Sequence, residues 1–434
     1  MARGFISRVF CNFDWRDISP RHGPGSVATG EEPWEKKYFK RWYRNIVAVY
    51  PYEEYFFYNL SHLCDELDRY VGLEEIDTGT AKVVLVPKDS RGPRLISCEP
   101  LEYQWIQQGL GRSLMAFIES HDWLKGQVNF THQTVNRELA LEGSVTAKWA
   151  TLDMKDASDR VSLWLVQELF GGTALFDALY ATRSGFTRTP DGEVVCLEKF
   201  APMGSALCFP VESVVFYVLA VSALVHAKGY SWLEARKSVF VYGDDIICRI
   251  EDHDTIRQYL PLVKLKFNES KCCTGRSFRE SCGCDAFRGV DVTPTKLRTV
   301  WSHRGTPESI MSYCSYQNSF YMKGFWATSE FLRYHLKTVA KLPDKSGASQ
   351  PWTEECIEKS IGNEDVPTYM GTMTSQVKPN QVLHGFQRRF NRRFHRYEVR
   401  CLAPRSPNKR TSDLGWCEML RIKSQQSEFT RPGV

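Results

Sequence analysis

Apolar and polar positions along the chain follow first a two-residue and then a 3.6-residue repeat. KVVLVP (82–87), the polar KDSRGPR (88–94) and LIS (95–97) predict a strand, a basic turn and a second strand. Pro100 then suits the first turn of a helix through LEYQWIQQGLGRSLMAFI, with Leu101, Trp105, Ile106 and Leu110 on its apolar side. AKWATL (147–152) predicts a short strand. After a polar turn, residues 160–170 predict a helix with Val161, Trp164, Leu165 and Phe170 on its apolar side, stopped by Gly171-Gly172. A second helix is expected over about 211–227. SVFVYGDDIICRI (238–250) is two apolar runs around a tight turn containing Gly243, which predicts a hairpin. Turns and short strands are expected over 262–298, and helix from about 300. The Pro- and Gly-rich SPRHGPGSVATG (19–30) reads as an ordered loop.

Composition narrows the class. The 434 residues are 42% hydrophobic, 25% charged and 13% aromatic, which is globular and excludes a mainly disordered, collagen-like or coiled-coil chain. Fourteen cysteines are spread along the sequence and read as mostly reduced and buried. Cys272, Cys273, Cys282 and Cys284 do not match common structural-zinc spacing. The N-terminal MARGFISRVFCNFDWRD has no hydrophobic leader core, so a secretory signal is not expected. Ser213 to Val225 falls short of the ~20 residues that span a bilayer, so it reads as a buried core helix, with no membrane partner expected.

Net charge is only +5, too weak to name a nucleic-acid partner by itself. Its distribution says more. Residues 375–410 hold ten Lys or Arg against Glu398 alone, leaving a mildly acidic remainder. Phe386, Phe390 and Phe394 recur every four residues with arginines between them, which predicts a helix with one apolar and one cationic face. Arg388, Arg389, Arg392 and Arg393 are the candidate RNA-phosphate contacts, and packing by the phenylalanines alone is the plain alternative.

Candidate chemistry starts at the hairpin turn, where Asp244 and Asp245 are adjacent acids whose repulsion something must offset. A solvated Asp-rich turn is one reading and a Mg²⁺ site the other. A second cluster favours the metal. Asp153 ends the strand at 147–152, with Asp156 and Asp159 just after it. If those strands are neighbours, Asp153 and Asp244 converge, as two-metal phosphoryl transfer requires. Helix capping is the expected role of Asp156 and a mixed role that of Asp159.

At these residues the sequence resembles viral RNA-directed RNA polymerases. Tyr242-Gly243-Asp244-Asp245 resembles motif C, TLDMKDASDRVS (151–162) motif A, APMGSALCFPVES (201–213) motif B and FNESKCC (267–273) motif D. FRESCGCDAFRGVDVTP (278–294) is similar to the motif E region of the replicases of leviviruses, the small positive-strand RNA phages. PRHGPGSVA (20–28), RLISCEPLEYQWIQQGLG (94–111) and QTVNRELALEGSV (133–145) also resemble that group, and order and spacing hold from about 20 to 340. His132-Gln133 stands where the group has Asp-Gln, and Phe209-Pro210 replaces a polar or acidic pair. The group carries more sequence ahead of the PRHGPG element.

The resemblance implies an α+β right-handed polymerase fold: fingers with N-terminal elements over 1–146, a palm with a fingers insertion over 147–298, holding motifs A to E, an antiparallel sheet and the Gly-Asp-Asp hairpin, and a helical thumb with the basic segment over 299–434. It implies an RNA-directed RNA polymerase, the catalytic subunit of a phage replicase. Asp153, Asp244 and, less directly, Asp245 would hold two Mg²⁺ ions, with Mn²⁺ as a substitute. Lys271 would donate a proton to leaving pyrophosphate. Lys88, Arg91 and Arg94 would clamp the triphosphate, with the arginines ranked first for bidentate contact. Asp159, Gly204 and Ser205 would form the ribose side of the nucleotide site. The implied partners are RNA template and product, ribonucleoside triphosphates, host translation elongation factors Tu and Ts and a ribosomal small-subunit protein, in the cytoplasm of an infected bacterium. A reverse transcriptase shares the paired aspartates but not the Gly243 and FRESCG features. A non-catalytic RNA-binding protein would explain the basic segment but not carboxylates at strand ends.

Overall fold

A computed structural model of the chain describes residues 1–33, 35–57, 59–89, 92–297, 299–301, 307–340, 388–391 and 396–399. They fall into two compact units, Met1–Thr293 and Pro294–Val434.

The first unit is built around a three-stranded antiparallel sheet. Asp245–Arg249 is its central strand, between Trp149–Asp153 and Val239–Tyr242. The hairpin predicted at 238–250 is therefore present, with Gly243-Asp244 as its turn. Val239, Val241, Ala150, Leu152, Ile246, Ile247 and Cys248 are all buried, because helices cover the sheet. The outer edge of Trp149–Asp153 is closed by the chain at 267–273: Thr151 and Cys273 exchange backbone hydrogen bonds of 2.8 and 3.2 Å.

Against this sheet lies the helix Cys208–Lys228, longer at both ends than the predicted span. It is apolar all round, and Val214, Val215, Phe216, Tyr217 and Val218 are fully enclosed. Each such side chain contributes about 1.5–3 kcal/mol of hydrophobic stabilisation. Pro210 sits in the first turn, where its missing N–H has no helical acceptor to lose. Gly229 ends the helix in the left-handed region. By length and composition this helix could cross a membrane, but its most apolar window is largely buried inside the unit.

A four-stranded sheet runs Gly92–Cys98, Thr80–Asp89, Phe186–Arg188, Val194–Cys196. Its first two strands are the predicted strand–turn–strand, and the helix Leu101–Ser120 follows with Pro100 at its N-cap. The other two were not foreseen, being three residues each. A third sheet, Phe278–Ser281, Cys284–Phe287 and Val290–Asp291, packs through Cys284 and Ala286 onto Ala140 of the helix Thr134–Thr146. The 19–30 segment is ordered, as read. The buried Lys36 ammonium donates to the Gly23 carbonyl at 2.9 Å and the Gly25 carbonyl at 2.5 Å.

Two expectations change. The described cysteines are less buried than their composition suggested: Cys11, Cys64 and Cys196 are exposed, and those described are free thiols. The second unit contains the helices Pro307–Met322 and Trp326–Ala340, as expected, but the basic segment is not helical at the described positions. Arg388–Asn391 and Arg396–Val399 are antiparallel strands, with Phe390 opposite Tyr397 and Arg389 opposite Glu398 in register. A spacing of four residues fits a helical stripe, but it is also twice the strand period of two. The phenylalanine repeat was thus compatible with both, and aromatic enrichment favours the strand.

Candidate active site

The strand Trp149–Asp153 brings Asp153 to the end of the central sheet, and the hairpin turn brings Asp244 beside it. The Met154 N–H donates to the Asp244 carbonyl at 3.2 Å, tying the strand end to the turn. Gly243 makes this turn feasible. Its φ is +61°, and a Cβ there would overlap the Phe209 ring. Its N–H donates to Ser213 Oγ at 3.1 Å, so the motif C turn is fastened to the long helix.

Asp153 and Asp244 line one cavity of about 900 Å³, together with Arg94, Asp159, Gly204, Ser205, Glu212, Asn268 and Lys271. Asn268 Nδ2 donates to Asp153 Oδ2 at 2.9 Å, and its N–H donates to the Asp153 carbonyl at 2.8 Å. Lys271 Nζ stands 3.5 Å from Asp153 Oδ1 and 3.4 Å from Glu280 Oε1. Those two carboxylates outweigh the desolvation of the ammonium and raise its pKa, so Lys271 is a firmly held cation.

The acids on the other wall lack such compensation. Asp244 is exposed to the cavity, yet the protein mass around it displaces bulk water, and this desolvation, followed by the charge of Asp153, raises its pKa against the opposing pull of Lys271 and Arg94. Burial pushes the Glu212 carboxyl up to about 8, with Asp244 adding to the effect. Cys208 Sγ donates to Glu212 Oε2 at 3.6 Å. This site therefore collects carboxyl groups faster than cations, the environment of a cation or a cationic complex.

Asp245 behaves differently. It is directly opposite Asp153 in register, but its carboxylate accepts the Cys282 N–H at 2.7 Å and does not line the cavity. Burial pushes its pKa up to about 6. Among the described residues, no group of three or more His, Cys, Asp or Glu is gathered as a metal-binding set.

Of the other sequence candidates, Arg94 is exposed at the cavity wall. The Lys88 side chain and Arg91 lie outside the described residues, as do Arg392 and Arg393, while Arg388 and Arg389 are described as backbone in the strand pair. Asp159 is on the short helix Ala157–Arg160, with Lys199 Nζ 2.5 Å from its Oδ1. Asp156 holds the N-cap position of that helix but makes no side-chain cap. Its φ of +51° prevents the usual cap geometry, and it pairs with Arg160 at 3.7 Å instead. Gly204 has a φ of +122°, and a Cβ there would overlap the Ser97 carbonyl. The Ser97 N–H donates to the Met203 carbonyl at 2.8 Å. The strand carrying Arg94 and the loop carrying Ser205 are therefore in backbone contact. Ser205 Oγ accepts the Leu207 N–H at 3.3 Å.

The sequence reading passed over Asn268, Glu212, Phe209 and Lys199 as site residues. Glu212 left a signal, since an acid at the head of a long apolar run is costly to bury without a purpose. Asn268 and Lys199 left none outside their distance from Asp153 and Asp159.

A family model described as RNA replicase, beta-chain, matches residues 69–305. The chain is 36% identical over 219 residues to the RNA-directed RNA polymerase subunit beta of Qbeta virus (strain MX1), covering 50% of this chain and 35% of that protein. It is 38% identical over 218 residues to the subunit of Escherichia virus Qbeta, covering 50% and 35%. It is 34% identical over 216 residues to the RNA-directed RNA polymerase beta chain of Escherichia phage MS2, covering 50% and 37%. The match thus spans about a third of the length of these relatives. Among solved structures, the RNA-dependent RNA polymerase of a human picorbirnavirus aligns with a TM-score of 0.40 at 13% identity, over 60% of this chain and 56% of that one.

Proposed function

The chain belongs to the RNA replicase beta-chain family, and on that premise we propose that it is a template-directed RNA polymerase copying a viral RNA genome, the catalytic subunit of a phage replicase. One observation carries the reading. Asp153 and Asp244, from neighbouring strand ends, open into a cavity that Arg94, Asp159 and Ser205 also line. In this reading the central sheet is the palm, the four-stranded sheet belongs to the fingers and the second unit contains the thumb.

The residues fit a pair of Mg²⁺ ions. Asp153 and Asp244 offer hard oxygen donors side by side on one cavity, and a cation there would relieve the repulsion between them. Mg²⁺ is commonly held by one or two carboxylates, with water and substrate phosphate completing its shell, so no third acid is required. When bound, the ions supply a lowered pKa at the primer 3′-hydroxyl and neutralise the triphosphate.

The reaction forms a bond from the 3′-oxygen to the α-phosphorus and breaks the bond from that phosphorus to the bridging oxygen of pyrophosphate. Arg94 would hold the triphosphate in line, since guanidinium matches phosphate geometry. Asn268 fixes the Asp153 carboxylate through Oδ2, and Lys271 balances its charge at Oδ1. As a held cation within the cavity, Lys271 is also the group able to give a proton to departing pyrophosphate. Asp245 keeps the hairpin against Cys282 and so acts by positioning Asp244. Asp159 and Ser205 lie where a ribose 2′-hydroxyl would be read.

The proposal extends to elongation factors Tu and Ts and a ribosomal small-subunit protein as host partners, and to action in the infected bacterial cytoplasm. The test is incubation of the purified chain with an RNA template, four ribonucleotides and Mg²⁺, with and without those host proteins. Complementary RNA is expected, and its loss in Asp244→Asn. No RNA in any mixture, or undiminished RNA from Asp244→Asn, overturns the reading.

A further inference from the structure

We propose that Lys199 is a specificity-determining positioning residue: its ammonium sets the Asp159 carboxylate in the orientation that reads a ribose 2′-hydroxyl. This inference rests on the polymerase reading and names the device behind its sugar selectivity.

Asp159 alone is poorly placed to discriminate. It is a solvent-accessible side chain on a one-turn helix, and a carboxylate free to rotate makes a weak hydrogen-bond acceptor for a single hydroxyl. Its neighbour Arg160 does not help, being paired with Asp156. Lys199 approaches from a different segment, 40 residues on, and meets Oδ1 at 2.5 Å. With one oxygen held, the plane of the carboxylate is fixed, and so is the direction in which Oδ2 stands.

An exposed ion pair on a loose loop would contribute little. Here the lysine is on a braced segment. Arg183 is buried, and its guanidinium donates to three carbonyls of that segment: Leu197 at 2.8 Å, Lys199 at 3.1 Å and Phe200 at 2.9 Å. The same segment is laid on the end of the Asp159 helix. The Phe200 N–H donates to the Val161 carbonyl at 2.8 Å, and the Leu163 N–H donates to the Glu198 carbonyl at 2.8 Å. Lys199 and Asp159 are therefore carried by backbones tied to each other, so the distance between their Cα atoms is set by the fold and only side-chain rotamers remain to be ordered. Lys199 is no lining residue of the cavity, so it acts through Asp159 and not on the substrate.

Asp159 and Asp153 thus each have one lysine at Oδ1, Lys199 and Lys271 respectively.

The experiment compares incorporation of ribo- and deoxyribonucleotides by the 434-residue chain and its Lys199→Met, Lys199→Gln, Lys199→Arg and Asp159→Asn variants. Lys199→Met and Lys199→Gln are expected to lower the ratio of kcat/KM for ribo- over deoxynucleotide by about tenfold, through KM for the ribonucleotide. Lys199→Arg, which keeps a donor cation, should retain most of the ratio. Binding of GTP against dGTP, measured without primer, should show the same loss, and thermal melting identifies any variant that fails to fold. Equal losses for both sugars, or a ratio that falls in Asp159→Asn but holds in both neutral Lys199 variants, overturn the positioning role while leaving the polymerase reading intact. A parent chain that incorporates neither sugar overturns both.

Discussion

Asp153 and Asp245 face each other across the antiparallel register, yet their carboxylates serve different ends. Asp153 is held at the cavity by Asn268 and Lys271, whereas Asp245 takes the backbone N–H of Cys282. Asp153 thus faces the cavity, while its register partner Asp245 braces the turn at Cys282.

That division can be measured by mutation. Asp244→Asn should abolish RNA synthesis without lowering the melting temperature, because it removes a like charge beside Asp153. Asp245→Ala should instead destabilise the chain by about 1–3 kcal/mol, by leaving the Cys282 N–H unpaired. Thermal melts beside extension assays separate the two, and a destabilised Asp244→Asn with a neutral Asp245→Ala would reverse the assignment.

The pH dependence has a definite sign. Burial raises the Glu212 carboxyl to about 8 and the Asp245 carboxyl to about 6, both above their unfolded values. The folded chain therefore binds more protons than the unfolded one between each pair of values, and stability falls as pH rises through that window. Metal-free protein should melt at a higher temperature at pH 6 than at pH 8, and Glu212→Gln should flatten that difference. An unchanged pH profile in Glu212→Gln would remove Glu212 as its source.

Divalent metal should act in the opposite sense. If Asp153 and Asp244 take Mg²⁺, added Mg²⁺ should raise the melting temperature of the chain. Asp244→Asn should remove most of that shift. An equal shift in the variant would place the bound metal elsewhere.

Gly243 is the backbone hinge on which the acid pair depends. Gly243→Ala should cost about 1–2 kcal/mol from its left-handed φ alone. Displacing Phe209 should add about 1–3 kcal/mol. Chemical denaturation of the variant gives the sum directly. Phe209→Ala in the Gly243→Ala background should recover part of the second contribution and none of the first.

The basic run of sequence at 375–410 predicts salt-dependent binding of RNA. Changing Arg388, Arg389, Arg392 and Arg393 to Gln should weaken template binding and reduce the slope of log K against log salt by roughly 0.7 for each phosphate no longer neutralised. A slope that does not move would leave those arginines a role in packing alone.

Much of the site was legible because its chemistry coincides with strand ends. Asp153 closes an apolar run and Asp244 sits in a Gly-containing turn, so local pattern located both. Their convergence required knowing that the two strands pair, a contact across some ninety residues that no local period encodes. Lys199 and Asn268 were illegible for the same reason, since each acquires meaning only through a partner distant in sequence. The basic segment was misread for a different one. A four-residue repeat satisfies helix and strand alike, and the strand was chosen by pairing of Arg388–Asn391 with Arg396–Val399.

The strand order carries a consequence for how the chain is made. Trp149–Asp153 pairs with Asp245–Arg249 on one side and meets Cys273 on the other. Until those later segments have been synthesised, this strand has two unsatisfied edges and an acid at its tip with no partner. The cavity holding Asp153 and Asp244 therefore closes late, after most of the first unit has left the ribosome, and through pairings of high sequence separation that form slowly. During that interval the exposed edges invite association with other chains. A nascent chain of this design gains from any companion that shields its central strands before residue 273 emerges.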